Sequence, residues 1–291
     1  MAVNQFPEAL LSSLRGRELV VFVGAGMSIP CGGFSWHALC AMFVDEMGAE
    51  LGHEKIVSEL RSFLDPSGHG SLSDAVERMA LSTYDPLMLA QMFQDHVGRN
   101  RLIQILQKMC DAMSGPSSSH DLIASFGVKM FVTTNYDNLL EQALEKIGIA
   151  STVIVKEEDA AYWHLNSTRI IKMHGSLVNP FDANSVVIAR EDYEAYAERR
   201  PTMDLLIRFL MKTGPVLLLG FSARDPNFLA LHNRVRLAMK KHKNTVFFVS
   251  FDMPDPIQEY WRRYGFQPIV LPGVNKKLEL DRWLLGLKAK L

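Results

Sequence analysis

The run Leu19-Val20-Val21-Phe22-Val23 is apolar and largely β-branched without alternation, the pattern of a parallel strand covered on both faces. It leads straight into Gly24-Ala25-Gly26-Met27-Ser28, and beyond Ser35 the residues Trp36, Leu39, Cys40, Phe43, Val44 and Met47 recur at helical spacing with Ser35 placed as N-cap. The opening therefore reads strand, glycine loop, helix. Further buried strands are predicted at Met130–Thr133, Thr152–Val155, Ile170–Met173, Val186–Ala189, Val216–Gly220, Thr245–Ser250 and Pro268–Leu271. Helices alternate with several of them: one carries Leu139, Leu140, Ala143, Leu144 and Ile147 and closes at Gly148, another starts at Asp225-Pro226, and Lys276 to Leu291 forms a terminal helix packed on the rest. This alternation predicts an α/β fold built on a doubly wound parallel sheet. From about 48 to 120 the apolar spacing favours helices alone, so that stretch is expected to be a helical insertion, with Ser114–Ser119 as the loop that returns the chain to the sheet.

Composition changes the picture mainly by exclusion. With 291 residues, 48% hydrophobic and 22% charged, the chain can bury a large core and is expected to form a single domain over residues 1–291. A net charge of −1 supplies no global positive field for nucleic acid. The three cysteines, Cys31, Cys40 and Cys110, form no metal-ligand spacing, so no metal is expected, and their use suits a reducing compartment. The N-terminal residues lack a signal pattern and Leu19–Val23 is far too short to cross a bilayer. A soluble, cytoplasmic protein is expected, with no direct nucleic-acid or membrane partner.

The glycine loop directly after a strand can bring backbone N–H groups close to a phosphate, which points to a nucleotide. It does not complete the dehydrogenase fingerprint, because Ile29 stands where the third glycine belongs, nor does a Gly-Lys-Ser/Thr follow for a phosphate-binding ATPase loop. Taken alone, the same glycines also suit a plain tight turn.

Four segments then occur in one order: Gly24-Ala-Gly-Met-Ser28, Thr133-Thr-Asn-Tyr-Asp137, Lys172-Met-His-Gly-Ser176 and Gly220-Phe-Ser-Ala-Arg-Asp-Pro226. In this order the chain resembles the sirtuin-like family, and more narrowly its bacterial branch that hydrolyses NAD in anti-phage defence, in which Thr-Asn-Tyr-Asp is followed by Leu-Leu-Glu, here Leu139-Leu140-Glu141. Arg190-Glu191-Asp192-Tyr193 also resembles a segment of that branch, with no catalytic role attached. The resemblance implies a Rossmann-like NAD domain with Asn135 and His174 as catalytic residues. It implies that Gly24, Ala25, Gly26, Ser28 and Thr134 bind the cofactor, with Gly220, Phe221 and Ser222 toward the adenosine and Ser250 at its ribose. Asp137 matches a position that in sirtuins recognises the nicotinamide carboxamide, and it is equally placed to cap the helix that follows.

Losing nicotinamide from NAD leaves an oxocarbenium-like ribose, so a site must stabilise that cation and aim a nucleophile at the anomeric carbon. An asparagine amide can hold a water or a ribose hydroxyl in line, and a histidine can accept the proton. Without the resemblance, a lone histidine before glycine is more simply structural, and Asn-Tyr-Asp a turn. The departures from sirtuin deacylases are specific: three scattered cysteines cannot build their four-cysteine zinc module, residues 138–173 separate the asparagine from the histidine motif, and Ile29-Pro-Cys-Gly-Gly-Phe-Ser-Trp36 replaces their Asp-Phe-Arg. The resemblance therefore favours an NAD glycohydrolase, an NADase with NAD as substrate, over an NAD-dependent protein deacylase or a non-catalytic NAD or ADP-ribose-binding subunit. Control is expected from assembly: a homo-oligomer with a defence partner such as a ring-forming ATPase.

Overall fold

The computed structural model describes residues 6–51, 86–164, 167–178, 183–221 and 245–291. Along the chain run α1 (Glu8–Arg15), β1 (Val20–Val23), α2 (Trp36–Leu51), α3 (Pro86–His96), α4 (Arg99–Asp111), α5 (Ser118–Ala124), β2 (Met130–Thr133), α6 (Leu139–Lys146), β3 (Ser151–Ile154) and β4 (Thr168–Lys172). Then follow α7 (Arg190–Glu194), α8 (Tyr196–Arg199), α9 (Pro201–Thr213), β5 (Val216–Leu219), β6 (Val246–Phe251), α10 (Asp255–Arg263), β7 (Phe266–Leu271) and α11 (Lys276–Lys288).

The seven strands form one sheet in the order β3-β4-β2-β1-β5-β6-β7, and every pairing is parallel. The chain fills one side of β1 with β2 to β4 and then crosses to the other side with β5, so the order reverses at β1, where open α/β sheets bind ligands at the carboxyl ends of their strands.

The unbroken apolar runs are explained by the two faces. Val21, Val23, Phe131, Leu217, Leu219 and Phe247 point to one face, against α1, α5, α6 and α11. Val20, Phe22, Met130, Val132, Leu218 and Phe248 point to the other, against Met203, Ile207 and Leu210 of α9 and Trp261 of α10. Successive strand residues feed opposite cores, as the two-residue pleat requires. The large apolar side chains in these layers each stabilise the fold by about 1.5–3 kcal/mol when fully buried. A third core joins α2, α3 and α4 through Phe43, Phe93, Leu102 and Leu106, and it reaches the loops beside the sheet through Leu177, Val186 and Ile188.

Most expected elements lie where the pattern puts them. Ser35 Oγ accepts the Ala38 amide at the start of α2, and α11 packs through Leu280, Trp283, Leu284 and Leu287. Among the described residues from 48 to 120 the regular elements are helices, although the Ser114–Ser119 loop runs into the short helix α5 before reaching β2. The expected strand Val186–Ala189 is not one. It is a buried extended segment whose polar groups are met by other partners: Val187 N–H donates to His174 O at 3.0 Å, the Ile188 and Ala189 amides donate to Asp192 Oδ2, and Val186 and Val187 carbonyls accept from Arg99 and Tyr136. The helix start at Asp225-Pro226 lies outside the described residues. Among the described residues, no helix is long and apolar enough to cross a membrane.

Candidate active site

The loop after β1 is set by glycines packing against glycine. A Cβ on Gly24 or Gly26 would lie 2.8 or 2.7 Å from the Gly220 carbonyl oxygen, and one on Gly220, whose φ is +74°, would lie 2.6 Å from Met27 N. The β1 and β5 loops therefore meet backbone to backbone, an approach closed to any side chain. Several amides of the loop are engaged within the protein: Gly24 N–H donates to Leu219 O, Gly26 N–H to Gly220 O, Met27 N–H to Gly24 O and Ser28 N–H to Ala25 O, at 2.8–3.0 Å. What the loop turns toward the cavity is Ala25 and the buried Ser28.

At the end of β2 the next loop is stitched to the first. Thr133 Oγ1 donates to Val23 O at 2.8 Å and accepts the Asn135 amide at 3.0 Å. Asn135 Nδ2 donates to Ser28 Oγ at 2.9 Å and to Gly24 O at 3.3 Å. Ser28 Oγ in turn donates to Asp137 Oδ2 at 2.7 Å, while Asp137 Oδ1 accepts the Leu139 amide at 3.1 Å. Asp137 thus accepts the first amide of α6, whose N-cap is Asn138, and also anchors Ser28 in the cavity wall. Asn135 Oδ1 is buried without a hydrogen-bond partner among the described residues. Leaving such an acceptor unpaired costs about 1–3 kcal/mol, so a ligand hydroxyl or water placed there would recover it.

His174 follows β4 and is 4% exposed. Gly175 after it has φ +90°, and a Cβ there would lie 2.2 Å from Ser185 O, so only glycine lets the chain turn under the histidine. Tyr193 Oη lies 3.5 Å from His174 Nδ1, with the two rings edge to face at 5.2 Å. Burial, reinforced by the Arg200 cation, pushes the imidazole pKa from 6.5 down to about 3, so the ring is neutral at pH 7. The Tyr193 phenol can donate to Nδ1 or accept from it, and in the tautomer with Nδ1–H turned to the phenol oxygen Nε2 is the acceptor.

One cavity of about 90 Å³ brings these groups together. Ser28, Thr134, Asn135, Asp137 and His174 line it with Ala25, and Phe34, Trp36, Leu106, Met109 and Ile188 supply the apolar wall. Polar groups converging on an otherwise apolar cleft at a sheet's switch point are the usual make-up of a ligand site. A second cavity of about 490 Å³ adjoins it across Cys110, Met113 and Asp137.

The remaining sequence candidates are less central. Gly24, Gly26 and Gly220 stand behind the cavity as the loop joint, and Phe221 is buried with its ring against Gly24. Ser250 lies in β6, two strands from β1 and not on the cavity wall. Ser222 lies outside the described residues. Sequence reasoning missed three neighbours. Lys172 is 1% exposed and donates to Asp137 O at 2.5 Å and Glu141 Oε1 at 2.9 Å. Arg200 donates to Met173 O at 3.0 Å and to Ser185 O, bracketing the His174 loop. Tyr193 touches the histidine itself. Lys172 and Tyr193 stood in segments that carried the resemblance but had no role attached; Arg200 offered no signal.

Sheet order and glycine joint define a Rossmann-like α/β domain whose polar cavity lies at the switch point of the sheet. The model of the SIR2-like domain family matches residues 129–269 of the chain. Among curated proteins it is similar to Defense-associated sirtuin 2 of Bacillus subtilis, with 28% identity over 277 residues covering 94% of this chain and 25% of that protein. It is also similar to NAD(+) hydrolase ThsA of Cytobacillus dafuensis, with 25% identity covering 79% of this chain and 40% of that one. The ThsA of Bacillus cereus (strain MSX-D12) is 26% identical, covering 82% of this chain and 44% of that one. The chain thus spans less than half the length of these relatives. A crystal structure of a Sir2 homologue in complex with NAD shares the fold, with TM-score 0.51 and 15% identity over 99% of this chain and 96% of that one.

Proposed function

We propose that the chain is an NAD glycohydrolase that cleaves the nicotinamide–ribose bond to give nicotinamide and ADP-ribose, as an effector of anti-phage defence by NAD depletion. The observation that carries this reading is the pairing, in one buried cavity, of an unsatisfied Asn135 Oδ1 with a neutral His174 beside the glycine joint. The names of the relatives, NAD(+) hydrolase and defence-associated sirtuin, support it.

As the glycosidic bond breaks, its electron pair goes to the nicotinamide nitrogen and the positive charge passes to the ribose. Asn135 Oδ1 accepts a hydrogen bond from the attacking water or a ribose hydroxyl, holding it in line. As water forms the new C–O bond, its proton goes to the free nitrogen of His174. Burial, and then the Arg200 cation, disfavour a lasting imidazolium, so the proton moves on to solvent. The apolar wall of Trp36, Leu106 and Met109 offers the pyridine ring a dry face, and Asp137 stands at its polar edge. Gly24, Ala25, Gly26 and Ser28 are assigned to the pyrophosphate side, with Gly220, Phe221 and Ser222 toward the adenosine and Ser250 at its ribose.

In this reading the chain is one sirtuin-like unit with a helical insertion at about 48–120. It works in the cytoplasm as a homo-oligomer, held in check by a defence partner such as a ring-forming ATPase. The relatives are more than twice as long as the stretch they share with this chain, which leaves room in such systems for control by other segments.

The test is nicotinamide and ADP-ribose release from NAD by purified protein without peptide. Wild-type protein should turn over, and Asn135→Ala and His174→Ala should each lose about 100-fold or more in kcat. Binding of NAD without turnover would support a non-catalytic subunit instead, and release only with an acyl-lysine peptide would support a deacylase.

A further inference from the structure

Lys172 is the last residue of β4, a strand whose other end runs Thr168-Arg169-Ile170-Ile171, and its side chain is among the largest fully buried in the protein. Burying an ammonium costs several kcal/mol unless it is paired and fully hydrogen-bonded. All the acceptors Lys172 finds belong to one short stretch: Tyr136 O at 3.4 Å, Asp137 O at 2.5 Å and Glu141 Oε1 at 2.9 Å. That stretch begins immediately after Asn135. Tyr136 O also accepts the Leu177 amide at 3.1 Å, so the loop carrying the asparagine and the loop carrying the histidine are tied to the same carbonyl. A methionine of similar length would fill the space at less cost. The charge is justified by what it holds.

We propose that Lys172 is a positioning residue for the reaction: its buried ammonium, tied to Glu141, fixes the Tyr136 and Asp137 carbonyls and so sets the spacing between Asn135 and His174. The inference rests on the NAD-hydrolase reading for its kinetic readout. Lys172 lies two residues before His174 and grips the backbone directly after Asn135. It lines neither cavity. Glu141, 18% exposed, fixes the ammonium from the first turn of α6, and Asp137 is held at the same turn by the Leu139 amide. The loop is thereby clamped from both ends.

The experiment uses the full chain with Lys172→Met, Glu141→Gln and, to remove both charges together, Lys172→Met/Glu141→Met. Replacing both members of a buried pair with apolar residues often leaves stability intact, so the double variant keeps the test open should the single one fail to fold. In folded variants lacking Lys172, kcat for NAD should fall about 100-fold, the effect of a misplacement of roughly 1 Å, while the Kd for ADP-ribose, which lacks the nicotinamide end, stays near wild type. Glu141→Gln should show the same split more weakly. Amide hydrogen exchange over residues 134–139 should rise in the ligand-free variants and not across β1 or β5. A folded variant with wild-type kcat, or one that loses kcat and ADP-ribose affinity alike, overturns the proposal. Wild-type protein without turnover overturns the NAD-hydrolase reading instead, and exchange over 134–139 then decides Lys172: unchanged protection overturns it, local loss of protection supports it.

Discussion

Acidification should destabilise this protein through His174 by an amount the structure fixes. The folded imidazole titrates at about 3 against 6.5 when unfolded, because burial and then the Arg200 cation disfavour its charged form. Between those values the unfolded chain binds a proton that the folded one does not, so stability is fully present above about 6.5 and is lost as pH falls toward 3. At about 1.4 kcal/mol per pH unit once the unfolded imidazole is charged, the loss between pH 7.5 and 4.5 is about 3 kcal/mol. Other groups titrate across the same range, and comparison with His174→Gln, which keeps a polar uncharged side chain, cancels them. Urea unfolding of both proteins at pH 7.5 and 4.5 should therefore show the stability difference shifting by about 3 kcal/mol in favour of the variant at low pH. A difference constant within about 0.5 kcal/mol, the scatter of such comparisons, would mean that His174 titrates alike in the folded and unfolded chain, and a shift in the opposite direction would mean that it is held charged; either result would remove its role as a buried neutral acceptor.

Two substitutions probe the frame around that acceptor. Gly220→Ala combines a φ of +74° with a Cβ 2.6 Å from Met27 N. The left-handed backbone costs about 1–2 kcal/mol and overpacking about 1–3 more, so the melting temperature should fall by several degrees and turnover with it; an unchanged melt would show that the two loops can part. Ser28→Ala leaves Asp137 Oδ2 without its donor and Asn135 Nδ2 with only the longer contact to Gly24 O. It should cost about 1–3 kcal/mol in unfolding experiments and at least about tenfold in kcat, and full activity would remove Ser28 from the set that orients Asn135.

The fold was legible wherever burial and backbone pairing coincide. Val20–Val23 and Val216–Leu219 lie inside a parallel sheet, so both faces and both edges demand the same thing, an unbroken apolar run. Val186–Ala189 reads identically because it is just as buried. Its backbone, however, is satisfied by Asp192, Arg99 and Tyr136, and no pattern of hydrophobicity reports where an amide finds its acceptor. The same limit divides the site. Asn135, His174 and the glycines stood out as motif members at strand ends. Arg200 comes to the histidine only through the path of α7 and α8, and Leu106 and Met109 reach the cavity only because α4 turns that side toward it. Helical spacing identifies an apolar face without saying whether it fronts a core or a cleft.

The joint of Gly24, Gly26 and Gly220 also sets terms for anyone who wishes to re-engineer this pocket. Because its closest contacts are main chain, with only the Phe221 ring and the Met27 side chain beside them, a side chain added at one of the three positions meets backbone that has little room to give. The adjustable part lies opposite, where Phe34, Trp36, Leu106 and Met109 present ordinary side chains on helix and loop. A library aimed at altered ligand choice belongs on that wall, with the glycine side kept as the fixed reference against which every new shape is cut.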